Sequence, residues 1–107
     1  MLFRSLNLDE RERLVADIGS KTLMLLRNHG TLSVGGTAAD CWVGMYYLER
    51  SCTMQVAALT AGRDKILIAP AASQEEVRNQ SARGVGGALA WPACLRKLDR
   101  ELPGYDA

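Results

Sequence analysis

The chain has 107 residues, 48% of them hydrophobic and 23% charged, and its 13 basic and 12 acidic side chains leave a net charge of +1. This length accommodates one domain, and the composition excludes a disordered tail, a collagen-like repeat and a coiled coil. The balanced charge predicts neither a nucleic-acid nor a membrane partner, because such domains usually gather a basic surplus on one face. The nearest basic cluster, Arg96, Lys97 and Arg100, is interpreted as the solvent-facing side of a helix.

Cysteine usage and the absence of a targeting pattern predict a cytoplasmic protein. Cys41, Cys52 and Cys94 form an odd set without the spacing of a zinc motif or a disulfide framework. Free cysteines with apolar neighbours suit a reducing compartment. Residues 1–20 lack the apolar core of a signal peptide, and no apolar run reaches the roughly 20 residues that span a bilayer.

The first third of the chain predicts a helix followed by two strands. Residues 9–18 carry acidic side chains in a first turn and apolar ones on one face, and Gly19 can end the helix. The apolar run within residues 22–27 is typical of a strand buried on both faces. Residues 28–30 have turn character, and the alternation of residues 31–34 predicts a half-buried strand that ends at the glycine pair 35–36.

A long helix is predicted from Thr37 to Ala61. Thr37 is a favourable N-cap, Asp40 stands at the capping-box position, and Gly62 can end the helix. One face carries an apolar stripe, and a second apolar stripe lies beside it: Cys41, Met45, Leu48, Cys52, Val56 and Leu59, then Ala38, Trp42 and Tyr46. This apolar surface is wider than one thin sheet covers, which indicates a partner that packs against it.

The remaining residues predict a short strand and two helices. The strand is expected at residues 65–69, stopped by Pro70, and a polar helix is expected from a capping box at Ser73 and Glu76 to Arg83. Gly84, Gly86 and Gly87 are interpreted as a flexible joint before a last helix at residues 91–102, with Pro92 in its first turn. The order helix, strand, strand, helix, strand, helix, helix predicts a mixed α/β fold.

His29, the only histidine, is the leading candidate for a metal ligand. It lies in a tight turn directly after a predicted strand, where α/β proteins place functional side chains on a rigid element. Neutral imidazole binds zinc well. A catalytic zinc needs about three protein ligands, however, and no Asp or Glu is close to His29 in the sequence.

Other constellations are weaker. The segment GTLSVGGT at residues 30–37 has the spacing of a phosphate-binding P-loop, but Gly36 stands where the lysine belongs and the alternating apolar residues favour a strand. The three cysteines lie in apolar helical settings that favour packing over nucleophilic catalysis. The aromatic residues are expected to anchor a core or an interface: Trp42, Tyr46, Tyr47 and Trp91.

Several of these segments together resemble the class II aldolase/adducin family. The segments are LLRNHG at residues 25–30, VG at 34–35, TAAD at 37–40, YYLER at 46–50 and WPACLRKLDR at 91–100. The last is similar to the end of bacterial adducin-like members, and the similarity runs over residues 6–105. The resemblance implies a three-layer αβα fold around a mostly antiparallel sheet, commonly assembled as a fourfold tetramer.

The resemblance also implies a zinc-dependent aldehyde-lyase or epimerase that acts on a small sugar phosphate or hydroxy-keto compound through an enediolate. His29 would be the last of three histidine ligands. The other two histidines, the acid/base glutamate and the phosphate-binding residues lie further upstream in the family, and none has a counterpart in residues 1–107.

We therefore expect residues 1–107 to be the carboxy-terminal part of a class II aldolase/adducin-like domain, with an incomplete α/β fold and no activity alone. Zinc is expected only if another segment or chain supplies the missing ligands. The expected partners are the amino-terminal half or a second copy, with a small-molecule substrate in the full domain. The alternative is a non-catalytic adducin-like assembly module, whose self-association would survive His29→Ala and chelators.

Overall fold

The protein is described by a computed structural model that covers residues 8–81 and 86–106. These ranges contain helices, a 3₁₀ helix and a two-stranded antiparallel sheet, in the order α1 (Leu8–Ile18), β1 (Leu23–Leu26), β2 (Gly30–Ser33), α2 (Ala38–Leu59), 3₁₀ (Arg63–Lys65), α3 (Ala71–Ser81) and α4 (Gly87–Glu101). No helix in this described part combines the length and apolar character needed to cross a membrane.

The first predicted helix and both predicted strands are present. Antiparallel pairing places Leu23 opposite Ser33 and Leu26 opposite Gly30. β2 ends at Ser33, before the expected glycine pair, although the Val34 amide still donates to the Thr22 carbonyl (2.8 Å). The expected burial of β1 on both faces is wrong, because Leu25 is 63% exposed.

The long helix is confirmed as α2, within two residues of its predicted end. Thr37 is its N-cap in an extended conformation, and the Thr37 hydroxyl accepts a hydrogen bond from the Asp40 amide (3.1 Å). The same hydroxyl donates to Asp40 Oδ2 (2.7 Å). This N-cap stabilises the first turn of α2, because it gives an acceptor to a backbone amide that has no partner within the helix.

The predicted strand at residues 65–69 is wrong. Arg63–Lys65 forms a 3₁₀ helix, and residues 66–70 belong to no helix or strand. A strand needs a neighbour to satisfy its backbone groups, and the sheet in the described residues consists of β1 and β2 alone. Leu67 and Ile68 are accordingly 97% and 82% exposed.

The helix predicted from Ser73 begins two residues earlier, as α3. Its first turn is entered from Pro70, whose carbonyl accepts from the Gln74 amide (3.1 Å), while Gln74 Nε2 donates to the Ala69 carbonyl (2.7 Å). Ser73 therefore lies inside the helix and is not its cap. The expected end at Arg83 lies outside the described residues.

The last helix, α4, begins at Gly87, four residues before the predicted start. Pro92 therefore lies beyond the first turn. Gly86, with a φ of +72°, stands directly before the helix, and Gly87 is buried against α2. These two residues thus form a packed helix start in place of the expected joint, and Gly84 lies outside the described residues.

Helix α2 is the centre of the molecule, since both the hairpin and α4 pack on it. Within the described residues, Val43 is the one large apolar side chain that is buried, at 3% exposure. Large apolar side chains of α2 remain exposed: Trp42, Tyr46, Tyr47, Met54 and Val56. The predicted excess of apolar surface on this helix is therefore confirmed, because hairpin and α4 leave much of it uncovered.

Candidate functional site

The candidate site is the turn that joins β1 to β2 and carries His29. Three residues, 27–29, connect the paired Leu26 and Gly30, and the His29 amide donates to the Leu26 carbonyl (3.1 Å). Asn28 adopts a left-handed conformation with a φ of +55°, which asparagine tolerates better than most residues. The turn chemistry of this sequence therefore holds His29 at the exposed tip of a hydrogen-bonded hairpin.

A cleft opens beside this turn, between α1 and β1. It has a volume of about 330 Å³ and brings His29 together with charged side chains of opposite sign: Glu10, Arg13, Asp17 and Arg27. Glu10 and Arg13 form an exposed ion pair within α1 (3.4 Å). Apolar residues of α1 and β1 complete the lining: Leu14, Met24, Leu25 and Leu26. The cleft is an open depression with a mixed polar and apolar lining, and His29 is one of its lining residues.

The donor set in the described residues does not complete a zinc site. A catalytic zinc uses about three protein ligands. Residues 8–81 and 86–106 contain no group of three His, Cys, Asp or Glu side chains that could hold a metal ion. The exposed imidazole on a hydrogen-bonded turn suits one ligand position, so His29 stays a predicted ligand.

Two close side-chain contacts help to hold the hairpin on α2. The first is Gly44, where an added β-carbon would lie 2.8 Å from Ser33 Oγ and 3.2 Å from Leu23 Cδ2. The second is a hydrogen bond in which Thr31 Oγ1 donates to Glu49 Oε1 (2.8 Å). Glycine in the middle of a helix usually costs stability, so its presence here reflects the close approach of the strands. These contacts fix the strands from which the turn projects.

Aromatic side chains join α2 to α4. Trp42 stacks on Tyr46 with ring centroids 5.9 Å apart and meets Trp91 edge-on at 6.3 Å. The guanidinium of Arg50 lies 5.9 Å from the centre of the Tyr46 ring. Trp91 is half-buried, whereas the α2 rings are exposed on one side. The prediction that these rings act as anchors is confirmed for the α2–α4 contact.

The structure also places the weaker sequence candidates. The P-loop-like segment begins with β2, so half of it is strand, as its alternation predicts. Cys41, Cys52 and Cys94 are free and half-buried. Arg96, Lys97 and Arg100 are exposed on α4, as expected of a solvated face. The Thr31–Glu49 hydrogen bond was missed, because nothing local in the sequence pairs residues 18 positions apart.

Comparison with known proteins gives the family context. Residues 3–56 match the family described as the Class II Aldolase and Adducin N-terminal domain. A "Putative aldolase class 2 protein" of Caulobacter vibrioides is 66% identical over 103 residues, which are 94% of this chain and 40% of that protein. A protein of the same description from Pseudomonas aeruginosa is 42% identical over 94% of this chain and 41% of its own length.

A solved structure and a more distant relative also match this chain. A crystal structure of an aldolase II superfamily protein from Pseudomonas syringae superposes with a TM-score of 0.86 at 38% identity, over 95% of this chain and 42% of that one. The protein hu-li tai shao of Drosophila melanogaster is 32% identical over 70% of this chain, which is 7% of that protein.

This chain thus spans about two fifths of the length of the bacterial relatives. The superposition confirms the expected fold class, an incomplete α/β structure that is rich in helix and holds a small antiparallel sheet. The family match covers half of the sequence and includes the whole hairpin with His29. The chain belongs to the class II aldolase/adducin family.

Proposed function

We propose that this chain is one part of a zinc-dependent class II aldolase-like enzyme, to which it contributes His29 as a metal ligand. The reaction class that the family resemblance implies is aldehyde-lyase chemistry on a small sugar phosphate or hydroxy-keto compound. The observation that carries the proposal is the placement of His29, an exposed imidazole on a hydrogen-bonded turn at the edge of an open cleft. Bound zinc would supply the Lewis acidity that polarises the oxygens of such a substrate.

We further propose that the chain alone is inactive and that another polypeptide segment completes both its core and its metal site. The solvent-accessible surface is 9277 Å², whereas a folded monomer of 11.7 kDa exposes about 5,900 Å². The radius of gyration is 17.3 Å, against about 13 Å for a compact domain of this size. Surface of this extent is typical of a fold that lacks part of its covering layer.

The size of the excess indicates which partner to expect. About 3,400 Å² of surplus surface is several times the roughly 800 Å² that each partner buries in a standard interface. A second copy docked through one such interface would leave most of it uncovered. The amino-terminal part of a class II aldolase-like domain fits better, since the matched relatives contain more than twice this length in one chain.

The test uses a chimera in which this chain replaces the segment of the Caulobacter protein that it matches. We expect about one zinc per chimera by elemental mass spectrometry, and loss of that zinc in His29→Ala. Lys21→Ala is the matched control, because it removes an exposed side chain near the hairpin that does not line the cleft. The isolated 107-residue chain should hold no stoichiometric zinc and show no aldol cleavage.

Three results would contradict the proposal. Equal zinc in the chimera and in its His29→Ala variant would remove His29 from the ligand set. One zinc per isolated chain, lost in His29→Ala, would mean that the chain completes its own site. An assembly that persists unchanged in both His29→Ala and chelator, with no zinc in any sample, would favour the non-catalytic adducin-like module.

A further inference from the structure

We infer that Thr31 and Glu49 are positioning residues for His29, acting through the hydrogen bond that ties the hairpin to α2. This inference rests on the proposed role of His29 as a metal ligand. It concerns residues that touch neither metal nor substrate, and its starting point is the 2.8 Å contact between Thr31 Oγ1 and Glu49 Oε1.

The spacing of the two hairpin contacts shows how β2 lies along α2. Thr31 and Ser33 point to the same face of the strand, because side chains alternate with a period of two. These two residues are separated by about 6.7 Å along a strand. Their partners on α2, Glu49 and Gly44, are separated by about 7.5 Å along a helix axis. The later strand residue, Ser33, meets the earlier helix residue, Gly44, so β2 runs beside α2 in the opposite direction.

This arrangement makes the hydrogen bond the constraint nearer to the turn. The close approach at Gly44 lies near the open end of the hairpin, at Leu23 and Ser33. The Thr31–Glu49 hydrogen bond adds a directional side-chain contact one strand repeat closer to the turn. Thr31 is separated from His29 by one residue, so a tilt of the strands moves the imidazole directly.

The chemistry of the pair suits a positioning role. A threonine hydroxyl that donates to a carboxylate forms a directional bond of ordinary length, and Thr31 is half-buried beneath it. Glu49 lies in the YYLER segment at residues 46–50, one of the segments that resemble the family. The hydrogen bond to Thr31 connects this segment to the hairpin that carries His29. Metal sites depend on such supporting contacts, because ligands must be held in place before the metal binds.

The experiment measures zinc affinity in the Caulobacter chimera by competition with a chelator, at a temperature where every variant is folded. Thr31→Val keeps the side-chain shape and removes the hydroxyl, and Glu49→Ala removes the acceptor. We expect each to weaken zinc binding about fivefold, the worth of one net hydrogen bond, and the double variant to lose no more than either single one. Thr31→Ser and Glu49→Gln keep a donor and an acceptor and should restore near-original affinity.

A second readout separates this inference from the proposed function. Hydrogen–deuterium exchange of the metal-free hairpin, residues 22–34, should accelerate by a similar factor in Thr31→Val and Glu49→Ala. Gln55→Ala is the matched control, since it truncates an exposed polar side chain elsewhere on α2. The visible spectrum of the cobalt-substituted chimera should change in the same two variants, because it reports the geometry of the ligands.

The outcomes divide clearly. Original zinc affinity with a lowered melting temperature would show a merely stabilising bond and overturn the inference. Original affinity with unchanged hairpin exchange would overturn it as well. If His29→Ala leaves the zinc content intact, the proposed function fails, and accelerated hairpin exchange would then be the one part of this inference that stands.

Discussion

Gly87, the first residue of α4, lies so close to α2 that one added methyl group is expected to push the two helices apart. A β-carbon at this position would lie 2.9 Å from the backbone carbon of Ala39 and from the amide nitrogen of Asp40. It would also lie 2.5 Å from Asp40 Oδ1. Ordinary van der Waals contact begins near 3.4 Å, so Gly87→Ala requires a displacement of several tenths of an ångström.

The expected loss in the free energy of unfolding depends on which neighbouring groups can move away from the added methyl group. The Asp40 carboxylate accepts a hydrogen bond from the Thr37 hydroxyl (2.7 Å), so turning it away breaks a bond with a net worth of about 1 kcal/mol. Overpacking of this kind costs about 1–3 kcal/mol. Alanine recovers less than about 1 kcal/mol of helix propensity at a first helical position. The expected net loss in the free energy of unfolding is about 2 kcal/mol.

Thermal unfolding of the Caulobacter chimera measures this loss. For a chain of roughly 250 residues, about 2 kcal/mol lowers Tm by roughly 4–8 °C. Gly36→Ala is the control, because a β-carbon there meets nothing closer than Asp40 Oδ2 at 4.0 Å and its φ is not in the left-handed region. That variant should match the parent or exceed it slightly. A Gly87→Ala chimera as stable as the parent would refute the close packing of α4 on α2.

Two further substitutions test the N-cap of α2 and the turn that carries His29. Thr37→Ala should destabilise the chimera by about 1 kcal/mol through loss of the α2 cap, while Thr53→Ala, which removes an exposed mid-helix hydroxyl, should stay within about 0.5 kcal/mol by urea denaturation. Asn28→Ala should cost about 1 kcal/mol because of the left-handed turn, whereas Asn28→Gly should be neutral or stabilising in the same assay; equal effects of alanine and glycine would exclude a conformational role.

The elements that sequence predicted well are those whose signals are local. Thr37 and Asp40 predict the start of α2 from the sequence, because the N-cap is formed by residues three apart and needs no tertiary partner. The hairpin is equally local, since Asn28 and Gly30 suit the positive φ values that its turn adopts. The same locality made His29 visible as a candidate, because a lone histidine after a strand stands out without any knowledge of the fold.

The sequence predictions fail where the local structure depends on contacts with residues distant in the sequence. The KILIA segment at residues 65–69 has strong strand propensity, but propensity becomes a strand only beside another strand. The sequence pattern places Gly87 in a flexible joint. A glycine that a close helix contact requires cannot be distinguished by sequence alone from a glycine in a flexible segment. The Thr31–Glu49 hydrogen bond joins residues 18 apart, so no window of the sequence reveals it.

The proposed covering segment and the proposed metal site would have a common physical consequence. If a single polypeptide segment supplies both the cover for α2 and the ligands that join His29, zinc binding and folding must be coupled. Metal that binds only the completed fold stabilises it by mass action, and each tenfold rise in free zinc above the dissociation constant adds about 1.4 kcal/mol. The Tm of the chimera should therefore rise with zinc concentration, and the His29→Ala chimera should show no such dependence.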